Sequence, residues 1–172
     1  MTLEEAIAKI KPLDHNAMEI AQKRWDSIAK PLHSLGKMEK IVMQIAGITG
    51  SADVRLDKRA LVAMCADNGV VEEGVTQTGQ EVTAVVAANM ARGASCVCLM
   101  AAKAGAKVLP VDVGIASDME GTGILNRKIR YGTRNFLKEP AMTREETVKA
   151  METGMEAAGI LKAKGLSAGR LR

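Results

Sequence analysis

A short apolar run, from Leu61 to Ala66, is followed by a long polar loop and then by an apolar-periodic stretch that ends near Gly93. The run is too short for an independent helix. It stops at Asp67-Asn68-Gly69, where Asn68 and Gly69 tolerate the positive φ of a tight turn. The later apolar residues recur at the spacing of one helix face: Val82, Val85, Val86 and Met90. Strand, loop and helix in this order predict an open α/β sheet with a ligand site at the carboxyl ends of its strands.

The loop itself is rich in hydrogen-bonding side chains, more than a simple connection requires. They are Asp67, Glu72, Glu73, Thr76, Gln77, Thr78, Gln80 and Glu81. From the pattern alone, a solvated surface loop and the wall of a binding cleft both remain possible.

The rest of the chain supplies a second strand and further helices. Residues 107–114, KVLPVDVG, predict a buried strand with Asp112 and Gly114 at its exit, preceded by a short helix that Ser95 can cap and Gly105 can end. Residues 115–139 are irregular and leave room for a third strand. Thr143 and Glu146 have the spacing of a capping box, and the periodicity beyond them predicts a helix to about Lys164.

Three helical segments precede the first strand, at residues 3–10, 14–29 and 35–50. Asp14 is a candidate N-cap and Pro31 is expected to close the second helix. The third is expected to face inward with Met38, Ile41, Val42 and Ile45. The sequence therefore predicts the α/β class: a partial open parallel, Rossmann-like sheet flanked by helices (residues 51–172), with a small N-terminal helical subdomain (residues 1–50).

Composition excludes several classes of protein. With 47% hydrophobic and 26% charged residues the chain is typical of a soluble globular protein. Aromatic residues make up 2%, too few to interleave with basic residues as in a nucleic-acid interface. No apolar run is expected to reach the roughly 20 residues of a membrane span, and no cleavable leader is visible. Three cysteines in apolar segments indicate reduced core residues of a cytoplasmic protein, and Cys96 and Cys98 are wrongly spaced to share a metal.

The central motif resembles that of a known family. ADNGVVEEGVTQTGQEVTAVVAANMARGAS is similar to the signature of the nicotinate-nucleotide:dimethylbenzimidazole phosphoribosyltransferases. Lys30, Pro31, Ser34, Leu35, Gly36 and Glu39 resemble the family's N-terminal motif, and the Val-Asp-Val-Gly and Pro-Ala-Met segments also match. Asn68 stands where a histidine is usual and Gly79 where proline is common. An asparagine forms hydrogen bonds but, unlike a histidine, cannot act as a general acid or base.

The resemblance implies transfer of ribose phosphate from nicotinate mononucleotide to 5,6-dimethylbenzimidazole, giving α-ribazole 5'-phosphate and nicotinate for cobalamin assembly. It implies a pentosyltransferase with no cofactor and no metal, acting on small molecules rather than nucleic acid or membrane. The substrate-binding residues it implies, together with the loop aspartate, are Asp67, Thr76, Gln80, Glu81, Thr83, Asp112, Arg130 and Asn135. Arg130 and Asn135 belong to a glycine-containing basic stretch, whose residues suit a phosphate and are equally consistent with a solvated basic loop.

The resemblance covers residues from about 25 to 165, whereas full members of the family continue into another strand, a phosphate-binding motif and the glutamate taken as the general base. The expectation is therefore an N-terminal half with little turnover alone, which self-associates or joins a complementary C-terminal chain. The alternative is a non-catalytic benzimidazole-binding or oligomerisation module.

Overall fold

A computed structural model describes residues 1–165 and the backbone of residues 167–168. The chain divides into two compact units, Ile7–Leu56 and the remainder, Met1–Ala6 with Asp57–Arg172. Helix α1 (Leu3–Ala8) lies at the chain start. The first unit is helical and the second is of the α/β class.

The unit Ile7–Leu56 contains α2 (His15–Ser27) and α3 (Lys37–Thr49). Asp14 caps α2 by accepting a hydrogen bond from the Ala17 amide, as predicted. The helix ends at Ser27, before Pro31, because Ile28 is already extended. Three alanines form the buried core between the two helices: Ala17, Ala21 and Ala46.

The inward face predicted for α3 is wrong in part. Met38 is 60% exposed and Ile41 52% exposed. The reason is steric: a Cβ on Gly47 would lie 2.7 Å from the Met18 Sδ, so α2 approaches the small residues Ala46 and Gly47 closely. Met38 and Ile41 lie on the exposed side of α3, whereas Met43 packs against the alanine core.

The α/β unit is built on a parallel sheet of strand order β3-β2-β1-β4. The long central strands are β1 (Arg59–Ala66) and β2 (Ala106–Gly114), and β3 (Leu125–Asn126) lies beside β2. β4 (Ser167–Ala168) pairs with β1, so the chain does enter another strand after its long helix, which the sequence did not predict. The β1–β2 register shifts between Cys65 and Ala66: Cys65 pairs with Asp112, but Ala66 pairs with Gly114, so one residue of β2 is skipped near the carboxyl ends of the two strands.

Helices α4 (Glu81–Ala91) and α5 (Cys96–Lys103) connect β1 to β2, and α6 (Arg144–Ala163) follows β3. Ser95 caps α5 and Thr143 with Glu146 forms the predicted capping box of α6. The main buried cluster is Cys65, Ala87, Ile115, Met119 and Ile124, with Ala63, Ala84, Ala88 and Met90 packed against it.

The valine face predicted to bury α4 is mostly exposed: Val82, Val85 and Val86 point away from the sheet. Alanines take the inward positions, because a small side chain lets the helix lie close to the strands. The expectation about apolar runs also needs correction, since residues Glu81–Lys103 have the length and composition of a membrane span. In the fold this stretch is broken, because α4 ends at Ala91 and Ser95 starts a new helix.

Candidate functional site

A 3-10 helix, Gly69–Glu73, leaves the carboxyl end of β1 and packs backbone-to-backbone on residues 133–135. A Cβ on Gly69 would lie 2.5 Å from the Thr133 carbonyl oxygen and 2.7 Å from the Asn135 nitrogen. Gly69 donates its amide to the Thr133 hydroxyl at 3.1 Å, and the Thr133 amide donates to the Asp67 carbonyl at 2.9 Å. Asn68 has a φ of −111°. Gly69 is thus required by this close approach and not by the positive φ that the sequence suggested.

A cleft of about 220 Å³ opens at the carboxyl end of β1. It is lined by Ala66, Asp67, Asn68, Val71, Thr76, Thr78, Gly79, Gln80, Val82 and Thr83. The loop wall is braced internally: the Gln80 amide nitrogen donates to the Asn68 carbonyl at 3.3 Å, and the Thr76 hydroxyl donates to the Thr78 carbonyl. Apolar methyl groups alternating with hydroxyl and amide groups suit a small flat heterocycle with polar nitrogen atoms.

Asp67 directly follows β1 and Asp112 lies two residues before the end of β2; both are buried, at 3% and 0% exposure. Asp112 Oδ1 accepts hydrogen bonds from the amides of Gly114 (3.0 Å) and Ile115 (2.9 Å). Asp67 Oδ2 accepts one from the Ala116 amide at 2.8 Å. Both carboxylates therefore organise the turn after β2, and only Asp67 also lines the cleft.

Lys128 compensates the charge of Asp112. Its Nζ lies 2.9 Å from Asp112 Oδ2, and it donates to the carbonyls of Ile115 and Ser117. The Asp112 contact is an ion pair, because that oxygen has no aligned hydrogen bond among the described residues. Lys128 also lies over the Tyr131 ring, 4.5 Å from its centre. The Tyr131 hydroxyl donates to Asp118 at 2.6 Å, and this hydrogen bond raises the pKa of the tyrosine.

Asn135, which directly follows Arg134, hydrogen-bonds to the last residue of the 3-10 helix. Its amide nitrogen donates to Glu73 Oε1 at 2.5 Å, and its side-chain oxygen accepts from the Leu137 amide. Lys138 donates to Glu72 at 2.9 Å beside this contact. That hydrogen bond lowers the pKa of Glu72 and raises the pKa of Lys138.

The basic run at residues 127–134, which consists of Arg127, Lys128, Arg130 and Arg134, is largely neutralised by carboxylates within the fold. Arg127 pairs with Glu156, Lys128 with Asp112, and Arg134 with Glu146 at 2.7 Å. The hydrogen bond from Arg134 lowers the pKa of Glu146 to about 2. In the part of the chain that the structure describes, Arg130 differs, because its Nη1 is buried and has no hydrogen-bond partner.

The eight residues named from the sequence thus fall into two groups. Asp67, Thr76, Gln80 and Thr83 line one cleft. Glu81, whose Oε1 accepts from the Gly79 amide at 3.2 Å, lies outside that lining, as do Asp112, Arg130 and Asn135. The sequence predicts no positioning role for Lys128 and predicts Gly69 as a turn residue. No local signal marks either role, since each depends on a segment distant in the chain.

The comparisons with known proteins agree with this architecture. The family model DBI_PRT, described as "Phosphoribosyltransferase", matches residues 10–168. The chain belongs to this phosphoribosyltransferase family. The match extends over both compact units, so the family assignment rests on much more of the chain than the cleft.

Relatives of this family member carry a more specific name. A nicotinate-nucleotide–dimethylbenzimidazole phosphoribosyltransferase of Ruminiclostridium cellulolyticum is 49% identical over 97% of this chain and 47% of its own length. One of Clostridium tetani is 47% identical over 90% of this chain and 42% of its own length. The crystal structure of the Thermus thermophilus enzyme of that name has a TM-score of 0.82, with 37% identity over 91% of this chain and 49% of that one. The chain thus spans about half the length of the relatives it matches.

Proposed function

We propose that these residues form the part of a nicotinate-nucleotide:dimethylbenzimidazole phosphoribosyltransferase that receives the azole base. The reaction joins a benzimidazole nitrogen to C1 of the ribose of nicotinate mononucleotide and releases nicotinate. The observation that carries the proposal is the cleft at the carboxyl end of β1, where Asp67, Thr76, Gln80 and Thr83 come together. This is the edge at which open parallel sheets bind ligands.

The geometry suggests how the ring is held. Val71 and Val82 offer apolar contacts to its faces, and the hydroxyl of Thr83 and the amide of Gln80 offer hydrogen bonds to its nitrogens. Such groups position the ring so that one nitrogen points at the sugar carbon, and correct orientation is itself a large part of catalysis. Arg130, which is half-buried and forms no ion pair among the described residues, is the group we assign to the phosphate. Glu81 and Asn135 remain predicted substrate-binding residues, whereas Asp112 is 0% exposed and we propose for it an indirect role that needs no contact with substrate.

A second candidate, binding without catalysis by these residues alone, is favoured by one feature of the cleft. Its carboxylate, Asp67, is 3% exposed and already accepts a hydrogen bond from the Ala116 amide. A general base must reach the proton it removes, and a buried carboxylate committed to the backbone is poorly placed to do so. We therefore propose that the 172 residues bind dimethylbenzimidazole but release little nicotinate.

We further propose a cytoplasmic protein whose exposed apolar side chains are covered by a second copy or by a complementary C-terminal chain. Val85, Leu99 and Met100 are among the large exposed apolar residues, and the outer edge of β1 is paired only at Arg59 and Ala60 among the described residues. Open sheet edges and apolar surface favour association. Size-exclusion chromatography tests this, and a stable monomer would contradict it.

The binding proposal is tested by titrating 5,6-dimethylbenzimidazole into the 172-residue chain by calorimetry. Thr83→Val removes the cleft hydroxyl at constant shape, and we expect affinity to fall about fivefold, the equivalent of about 1 kcal/mol for one hydrogen bond. Thr153→Val is the matched control, since Thr153 lies on α6 and its hydroxyl bonds within its own helix. Equal affinities of both variants, or no binding by the unchanged chain, would overturn the proposal. Adding nicotinate mononucleotide and measuring nicotinate release by chromatography separates the two candidates.

A further inference from the structure

A single peptide group, between Ile115 and Ala116, connects Lys128 to the cleft. Its carbonyl, on Ile115, accepts a hydrogen bond from the Lys128 ammonium. Its N–H, on Ala116, donates to Asp67 Oδ2 at 2.8 Å. The carbonyl and N–H of a trans peptide point in opposite directions, so this group lies between Lys128 and Asp67 and is bound at both ends.

The neighbouring bonds prevent this peptide from turning. Lys128 also donates to the Ser117 carbonyl at 2.9 Å, and Asp112 Oδ1 accepts from the Ile115 amide at 2.9 Å. A cation on the carbonyl polarises the peptide, which strengthens the donation by its N–H to a carboxylate. The position of the Asp67 side chain is therefore set by a lysine that lies on the opposite side of this peptide and does not line the cleft.

Lys128 is itself held by a carboxylate that no ligand can touch. Asp112 is 0% exposed, and the Lys128 side chain is 10% exposed. A buried ion pair is often no more stabilising than an apolar pair of the same volume, so stability alone does not account for this one. Here it fixes the ammonium under the Ile115 carbonyl.

We propose that Lys128 is a positioning residue for the cleft: it orients the Asp67 carboxylate through the Ile115–Ala116 peptide. Asp112 then acts through Lys128 and the turn after β2, without contact to substrate. The part of this inference that concerns the azole ring rests on the proposed function. The part that concerns the peptide does not, and the experiment keeps the two apart.

The test uses three variants of the full chain. Lys128→Met removes the ammonium and leaves Asp112 buried without its partner, which threatens folding. Lys128→Met combined with Asp112→Asn removes both charges, while the asparagine oxygen still accepts from the amides of Gly114 and Ile115. Lys149→Met, on the exposed face of α6, is the matched control. Each variant is measured for its urea midpoint, for hydrogen exchange of the Ala116 amide by NMR, and for dimethylbenzimidazole affinity.

We expect the double variant to regain a urea midpoint near that of the unchanged chain. Its Ala116 amide should still exchange about tenfold faster and its affinity should be about tenfold weaker, the effect of losing one charge-assisted hydrogen bond. A purely structural role for Lys128 predicts that all three measurements recover together, and that result would overturn the inference. So would normal Ala116 exchange in the double variant.

The two proposals can fail independently. If the unchanged chain does not bind dimethylbenzimidazole, the proposed function is wrong, and the exchange of the Ala116 amide alone decides the role of Lys128. If the unchanged chain binds and the double variant binds equally well, the proposed function stands and the positioning role is wrong. Lys149→Met should match the unchanged chain in all three measurements.

Discussion

Replacing Gly69 by alanine tests the contact on which the shape of the cleft depends. The new methyl group would lie 2.5 Å from the Thr133 oxygen, 2.7 Å from the Arg134 carbonyl carbon and 2.7 Å from the Asn135 nitrogen. All three are backbone atoms, so no side chain can rotate to make room. The two segments must therefore separate by roughly 1 Å, since non-bonded carbon contacts are optimal near 3.5–4.0 Å.

The cost follows from what that separation breaks. The Gly69 amide donates to the Thr133 hydroxyl, and the Thr133 amide donates to the Asp67 carbonyl. Overpacking typically costs about 1–3 kcal/mol, and a strained or lost hydrogen bond costs about 1 kcal/mol more. We expect Gly69→Ala to lower the free energy of unfolding by about 3 kcal/mol. Dimethylbenzimidazole affinity should fall as well, because Asn68 and Val71 line the cleft beside this contact.

The matched control is the same substitution at Gly159, on helix α6. No atom lies within 4 Å of a Cβ built there, and the residue is exposed. Alanine should therefore stabilise the protein by about 0.4–1 kcal/mol, because it restricts the unfolded chain at no steric cost. Urea denaturation measures both. If Gly69→Ala unfolds within about 0.5 kcal/mol of the unchanged chain, which is the usual scatter of surface substitutions, the close-approach argument is refuted.

Two further predictions concern carboxylates away from the cleft. The hydrogen bond from Arg134 lowers the pKa of Glu146 to about 2. The stabilisation that this ionised carboxylate contributes is complete above the ordinary glutamate pKa and is lost as pH falls from about 4.5 toward 2. Glu146→Gln should therefore flatten the dependence of stability on pH in that window, measured as urea midpoints. Asp14→Ala should cost about 1 kcal/mol by removing the N-cap of α2, measured by urea denaturation, while Asp14→Asn should cost almost nothing because asparagine caps equally well. A flat curve in the unchanged chain, or equal losses in both Asp14 variants, would contradict these two predictions.

Much of the fold could be predicted because its signals are local. Ser95, Asp14 and the Thr143–Glu146 pair act within one helical turn, and the structure shows each cap bond. The two central strands are short apolar runs that end in Asp and Gly, and their bounds also agree with the sequence to within two residues. The inward face of α4 could not be read, because valine is the more hydrophobic residue but alanine permits the closer packing. Periodicity places both on a helix without saying which one meets the sheet.

The candidate site was predictable only where one loop supplies it. Thr76, Gln80 and Thr83 fall within eight residues of chain and share the cleft with Asp67. Asp112 illustrates the limit. An aspartate at a strand exit has the same sequence signature whether it faces a ligand or the interior, and only the lysine at position 128, sixteen residues later, shows that it faces inward.

The same limit applies to predicting which residues bind the phosphate. A count of charges over residues 121–172 gives 11 basic and 5 acidic residues, which indicates a surface attractive to anions. In the fold, Arg127, Lys128 and Arg134 are each neutralised by a carboxylate from elsewhere in the chain, so little of that charge is available to a ligand. Arg130 is different, because a buried N–H without a partner costs about 1–3 kcal/mol. That buried nitrogen offers no surface to a ligand, but the residue as a whole is only half-buried and forms no ion pair among the described residues, so Arg130 is the member of the basic run that we propose for the phosphate.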